Sequence, residues 1–287
     1  MHVRLGIFAV PDATDPASTL EQIIAADQSG LELVGVQDHP YQRRFFDTWT
    51  LLAYAAGRTQ HVRFVPDVLN LPLRLPTLIA KSVASLDVLS GGRVELGIGA
   101  GGFWDAIEAM GGPRRTPKES VDALEEALAI VRGFWSTERS LRFEGQHYQV
   151  QGVHPGPPPA HPVGIWLGAY GPRMLRLTGR LADGWLPSLG GHYLSAEDVP
   201  KGHAAIDQAA RAAGRDPERI ERVLNVMALE GGPGAWPEQL ARIASELRFS
   251  TLLVGVPDED PVGFVRRLGE EIAPRVRELL GGAPSGA

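Results

Sequence analysis

Leu86-Asp87-Val88-Leu89-Ser90-Gly91-Gly92-Arg93-Val94-Glu95-Leu96-Gly97-Ile98-Gly99-Ala100-Gly101-Gly102 ends one kind of structure and begins another. The residues leading into it read as a helix from Pro76 to Leu89, with Leu78, Ile79, Val83, Leu86 and Leu89 predicted on one apolar face. Ser90-Gly91-Gly92 then turns the chain into a strand over 93–99, which runs out into bare glycine backbone. Helix, tight turn and short buried strand make one unit of a parallel sheet, because parallel strands need a helical crossover and are covered on both faces.

The same rhythm extends in both directions. Towards the N-terminus, strands are predicted at 3–8, 33–36 and 62–68, with helices at 15–29 and 47–58. Asp15-Pro16 and Asp47 supply the cap residues, and Gly30 closes the first helix. Towards the C-terminus a helix is predicted at 119–134, after a loop. Strands at 164–167, 184–186, 221–226 and 251–256 then alternate with helices at 172–182, 196–213, 237–246 and 261–279. Eight strands and eight helices favour a closed α/β (β/α)8 TIM barrel over an open doubly wound sheet. Residues 141–162 break the rhythm with Phe143, His147, Tyr148, Val150 and a Pro-rich run, and are predicted to be a hairpin or lid insertion after the fourth unit. Residues 1–280 are expected to form a single domain, and 281–287 a disordered tail.

Composition narrows the class. The 287 residues are 44% hydrophobic and 22% charged, enough apolar content for a large core. The net charge of -6 and the lack of a dense Lys/Arg tract argue against a nucleic-acid surface. No cysteine is present, which excludes disulfides, thiolate metal sites and thiol nucleophiles. The first residues run straight into a strand pattern without a signal-peptide profile, and no apolar run approaches membrane-spanning length. The expected setting is cytoplasmic.

In an α/β barrel the reactive site lies at the carboxyl ends of the strands. This rule selects Asp38 and His39, Asp67 and Asn70, the Gly99-Ala100-Gly101-Gly102 loop, the Gly168-Ala169-Tyr170-Gly171 loop, and Trp185. His39 beside Asp38 has the chemistry of a proton donor, or of a neutral hydrogen-bond partner to a bound heterocycle; an ordinary loop histidine is the plainer alternative. The glycine loop permits close approach of a flat ring or a phosphate, and equally suits a simple tight turn. At Gly168–Arg173 a turn opens a helix at Pro172, so free N–H groups and Arg173 point to an anion. His147, His154 and His161 recur every seven residues, but the prolines between them deny a shared helical face, and no metal is expected. Neither a G-x-S-x-G elbow nor a Walker A loop is present. From the residues alone the reading is a barrel enzyme with an anionic or aromatic ligand.

Leu86–Gly101 of the opening stretch resembles the most characteristic segment of the bacterial luciferase-like oxidoreductases. Leu73-Arg74-Leu75-Pro76 with Ala80-Lys81 is similar to the segment that leads into it. Pro162-Val163-Gly164-Ile165-Trp166-Leu167-Gly168, Gly171-Pro172-Arg173 and Ala182-Asp183-Gly184-Trp185 resemble the fifth and sixth units. The resemblance implies a TIM barrel that binds FMN or the deazaflavin F420. With F420 the implied reaction is hydride transfer to or from a small organic substrate. With reduced FMN it is a monooxygenase reaction using dioxygen and a partner flavin reductase. The Asp38-His39 pair resembles that of the F420-dependent reductases and dehydrogenases, and implies Asp38 and His39 as catalytic residues. In the sugar dehydrogenases of that branch a Glu stands where this chain has Gly102, and a Trp follows the His where Pro40-Tyr41-Gln42 stands here. Cofactor contacts are implied at Asp67, Val68, Asn70, Gly99, Ala100, Gly101, Gly168, Ala169, Tyr170, Gly171 and Arg173. A non-prolyl cis peptide is implied between Asp67 and Val68. A homodimer is implied through helices 47–58 and 76–89, with Leu51, Leu52, Ile79 and Val83 supplying part of its surface.

Overall fold

Short runs of β-branched and aliphatic residues, buried along nearly their whole length, make the staves of a barrel. In the computed structural model, which describes residues 2–190 and 193–281, these are β1 (Arg4–Ala9), β2 (Leu33–Val36), β3 (Arg63–Pro66), β4 (Leu69–Asn70) and β5 (Leu96–Gly99). The peripheral β6 (Leu141–Glu144) and β7 (Gln149–Val153) follow. Then come β8 (Ile165–Leu167), β9 (Gly184–Trp185), β10 (Ser188–Leu189), β11 (Glu221–Val226) and β12 (Thr251–Gly255). Every pairing apart from β6–β7 is parallel, in the order β3-β2-β1-β12-β11-β9-β8-β5-β4, with β10 beside β11. A parallel bridge between Phe64 in β3 and Val94, just before β5, closes the ring. β3 with β4 forms one stave and β9 with β10 another, so the described residues make an eight-stave (β/α)8 TIM barrel.

The outer ring consists of α1 (Pro16–Gln28), α2 (Thr48–Ala56), α3 (Pro76–Ser90), α4 (Trp104–Ala109), α5 (Pro117–Phe134), α6 (Pro172–Leu181), α7 (Val199–Ala212), α8 (Trp236–Glu246), α9 (Pro261–Arg267) and α10 (Ala273–Leu279). Local chemistry sets their starts. The Asp15 carboxylate accepts from Ser18 N–H at 3.0 Å, Asp47 accepts from Thr50 N–H at 2.8 Å, and Thr116 with Glu119 forms a capping box. Gly91 ends α3 with φ of +72°, a conformation that costs a residue without a Cβ nothing.

The structure departs from the sequence expectations in places. The strand predicted over 62–68 stops at Pro66 and resumes at Leu69, and the Asp67–Val68 peptide between the two pieces is cis. The helix predicted at 261–279 is α9 and α10 joined by a π-helical turn at Leu268–Ile272. α4 lies where the sequence predicts a loop. On α3, Ile79, Val83 and Leu86 face the core, whereas Leu78 and Leu89 face outward. The helix carries two apolar stripes here, and only the one against the barrel is buried. Residues 282–287 of the expected tail lie outside the described residues. In the 141–162 segment β6 and β7 form an antiparallel hairpin, whose turn hangs from α5 by the N–H groups of Gln146, His147 and Tyr148 on the Glu126 carboxylate.

Candidate active site

A cavity of about 300 Å³ opens at the carboxyl ends of the strands. Seven of the eight staves contribute to its wall, from Phe8 near the end of β1 to Met227 after β11. A larger groove, about 580 Å³, crosses the outer surface of α6 and α7 and touches no strand end. Chemistry is therefore assigned to the smaller cavity, where backbone ends converge.

Asp38 sits at the end of β2 and is buried. Its carboxylate accepts the N–H of Asn70 at 2.8 Å and Arg74 Nη2 at 3.1 Å, and the same guanidinium nitrogen reaches Asp47 at 2.6 Å. Asp38 thus ties the β2 loop to the β4 end and fixes the neighbouring residue, His39. The His39 Nδ1 lies 2.5 Å from Tyr41 Oη, and its ring meets Phe103 edge-on at 5.3 Å between centroids. Burial lowers the His39 pKa below its ordinary 6.5, against the opposing pull of Asp38. The imidazole is neutral at neutral pH. Burial, with the Asp38 charge and Tyr193 adding to it, pushes the Tyr41 phenol up to about 12, so it holds its proton.

Beneath this pair lies a second polar group. Asp67 is fully enclosed and accepts one hydrogen bond, from Asn225 Nδ2 at 3.0 Å; the same amide nitrogen reaches Ser188 Oγ at 3.2 Å. Burial raises the Asp67 carboxyl to about 7, partly offset by the Asn225 bond. Asp67 Oδ2, Asn70 Oδ1 and Asn225 Oδ1 are buried without a partner. Gly35 makes room for this carboxyl, since a Cβ there would stand 2.8 Å from Asp67 Oδ2.

A floor of bare backbone completes the cavity. Val68, on the cis peptide, is flanked by Gly99 and Gly168, where added Cβ atoms would stand 2.9 and 3.0 Å from the Val68 methyl. At Gly101, with φ of +96°, a Cβ would meet Pro72 at 2.7 Å. A flat ring can lie across such a floor, and its polar edge can supply partners to the orphaned oxygens. The residues present fit a flavin-type heterocycle.

Of the sequence-predicted residues, Asp38, His39, Asp67, Val68, Asn70, Gly99, Ala100, Gly101, Gly168 and Tyr170 line this one cavity. Ala169, Gly171 and Arg173 do not. Ala169 is buried, with its carbonyl accepting Trp185 Nε1 at 2.8 Å; Gly171 is the N-cap of α6. The Arg173 guanidinium is drawn away to α5, where it bonds Asp122 and the Lys118 carbonyl, on the wall of the outer groove. Trp185 packs behind the wall against Phe249 and His203. Sequence reasoning missed Tyr41, Phe103, Ser188, Tyr193, Asn225 and Met227. A lone Asn within the apolar run Val223-Leu224-Asn225-Val226 was a signal for one of them. Among the described residues no three His, Asp or Glu side chains are grouped to hold a metal ion.

A TIM barrel with an Asp–His pair over a glycine-lined slot defines a barrel oxidoreductase of the flavin type. Residues 3–229 match the luciferase-like monooxygenase family, and the chain belongs to it. It is 29% identical to an F420-dependent glucose-6-phosphate dehydrogenase of Intrasporangium calvum, over 96% of this chain and 100% of that protein. It is 32% identical to an F420-dependent hydroxymycolic acid dehydrogenase of Mycobacterium tuberculosis, over 82% of this chain and 64% of that one. The fold is shared with an F420-dependent secondary alcohol dehydrogenase solved with an F420–acetone adduct (TM-score 0.82, 19% identity, 96% of this chain and 100% of that chain). It is also shared with an FMN-bound type II Baeyer–Villiger monooxygenase from Pseudomonas putida (TM-score 0.75, 18% identity, 96% and 99%).

Proposed function

We propose that the protein transfers hydride between coenzyme F420 and a small organic alcohol or carbonyl substrate, with His39 as the proton-transfer group. The observation that carries this reading is the neutral His39, held by Tyr41 over the Val68–glycine floor. The F420-dependent activities named for the relatives support the choice of cofactor. Bound F420 supplies the hydride acceptor or donor. In the oxidising direction the hydroxyl proton passes to Nε2 of His39, the ring nitrogen that Tyr41 does not engage, while Nδ1–H donates to Tyr41 Oη. The carbinol carbon loses its hydride in the same step. In the reducing direction the imidazolium returns the proton to the carbonyl oxygen. Asp38 holds the loop and favours the imidazolium as it forms.

Asp67, Asn70 and the Gly99–Gly101 and Gly168–Tyr170 backbones are the groups proposed to hold the ring. The N-terminal turn of α6 is proposed for the phosphate, with Arg173 leaving Asp122 to join it. Tyr54, Leu75, Leu78, Val88 and Leu89 expose apolar surface on and beside α2 and α3, and this face is proposed for a homodimer. Leu51, Leu52, Ile79 and Val83, expected on that surface from the sequence, are buried in the core. Among the described residues no helix is long and apolar enough to cross a membrane, and a cytoplasmic enzyme of a single domain is the setting proposed.

Anaerobic incubation with oxidised F420 and candidate alcohols, followed by loss of the cofactor's visible band, tests the reading. Bleaching that needs substrate, needs no dioxygen and is lost in His39→Ala is the expected result. Turnover only with reduced FMN, dioxygen and a flavin reductase assigns the protein to monooxygenation instead.

A further inference from the structure

The cavity wall has a chemical bias that the reaction type does not require. None of its described residues is Lys or Arg, while two are aspartates, Asp38 and Asp67. Arg74, the guanidinium that bonds Asp38, is already shared between Asp38 and Asp47. A phosphate or carboxylate on a substrate is recognised through cations and forked N–H donors, and among the described residues no Lys or Arg lines this space. At the rim the bias is aromatic. His39, Tyr41 and Phe103 pack on one another with centroids 5.3 to 5.9 Å apart, and Tyr170 stands 5.9 Å from Tyr193 across the opening. Phe103 is 56% exposed, Tyr193 41% and Met227 38%, so an apolar collar surrounds a polar base. Apolar surface left open at the rim of a cavity marks a ligand contact more often than an accident of packing.

We infer that this collar selects an uncharged substrate with an aromatic or hydrocarbon group beside its hydroxyl or carbonyl carbon, and rejects phosphorylated and carboxylated ones. The hydrocarbon part rests on Phe103, Tyr193 and Met227, while the oxygen turns inward to His39. A phosphate at the same place would lose its water and gain no cation from the described wall. The chain would then differ in substrate from the sugar-phosphate dehydrogenases that resemble it. This inference rests on the proposed F420 reading for its reaction, but its binding arm does not need turnover.

The test uses the full chain loaded with F420. Acetophenone and glucose 6-phosphate are each titrated by calorimetry, and kcat/KM is compared for 1-phenylethanol and glucose 6-phosphate. Acetophenone is expected to bind saturably, and glucose 6-phosphate at least roughly 100-fold more weakly, given the cost of desolvating an anion that finds no cation. Phe103→Ala and Tyr193→Ala are each expected to weaken acetophenone by roughly 5- to 20-fold through lost aromatic contact. Met227→Arg, which places a cation on the rim, is expected to narrow the gap between the two ligands about tenfold. Tighter binding of glucose 6-phosphate, or acetophenone affinity indifferent to both alanine variants, overturns the inference. Failure of the chain to bind F420 in a separate titration overturns the function proposed above instead, and leaves acetophenone binding to the unloaded chain to decide this one.

Discussion

The two ends of the barrel both bury charged groups, and they finish them differently. At the amino ends of the strands, Asp87 accepts the N–H groups of Val94, Ala160 and His161 and the His161 Nδ1, all between 2.8 and 3.3 Å. Glu95 takes Arg63 on one oxygen and Gly164 N–H, at 2.6 Å, on the other. Each oxygen of Asp87 and Glu95 has a donor, and Arg63 Nε is buried beside them without an acceptor. At the carboxyl ends three oxygens, on Asp67, Asn70 and Asn225, are buried with no partner. A closed network fastens the segment before β8 to α3 and β5. An open one leaves hydrogen-bonding capacity for something that arrives. The first serves stability and the second ligand binding.

The largest expected effect falls on the open end. His39→Ala should lower turnover by roughly 100- to 10,000-fold, the usual worth of a positioned acid–base group, while Tm moves by no more than a few degrees. A matched loss of Tm would move His39 to the structural side of the comparison. Asp87→Ala should do the reverse: about 3 to 5 kcal/mol of stability lost in urea unfolding, because four donors lose their acceptor together. F420 affinity of the remaining folded protein should stay within a few-fold.

Asp67→Asn sharpens the contrast through pH. Burial raises the folded-state pKa of this carboxyl from 3.8 to about 7. Its stability contribution is therefore fully present below pH 3.8, declines as the pH climbs, and is lost above about 7. The variant, which cannot ionise, should match the wild type near pH 4 and exceed it at pH 8 by at most about 4 kcal/mol. A stability difference that does not change with pH would place the ionisation elsewhere. The turnover of wild type should also fall along an acid limb with a midpoint below 6.5, since burial lowers the His39 pKa. The smallest effect is expected on the outer surface. Leu78→Glu should change stability by less than about 0.5 kcal/mol, yet convert the proposed dimer to a monomer by light scattering.

Much of the open end was legible because its residues sit next to strand ends. Asp38-His39 follows an apolar run, and Gly99-Ala100-Gly101 ends another, so the topological rule reached both. What escaped depends on distant partners. Asp122 stands 51 residues before Arg173 and draws it off, and no local pattern signals that pairing. Asn225 meets Asp67 across 158 residues. α4 lacks the usual start signal, as its N-cap is Phe103 with no side-chain bond. The apolar residues of α3 read as a single face, but packing chose Ile79 over Leu78 for the core and left Leu89 outside.

The central claim, that the open end receives the flat ring of F420, is tested most directly by cofactor affinity in Gly168→Val. A side chain there projects at the Val68 methyl, which an added Cβ would already approach to 3.0 Å. Quenching of F420 fluorescence should give saturable binding to the wild type, and an affinity at least roughly tenfold weaker for the variant. The two are compared at a temperature where both are folded, because the crowding at Val68 also costs about 1–3 kcal/mol of stability. Equal affinities in the two proteins, or no binding of F420 to the wild type, would contradict the account.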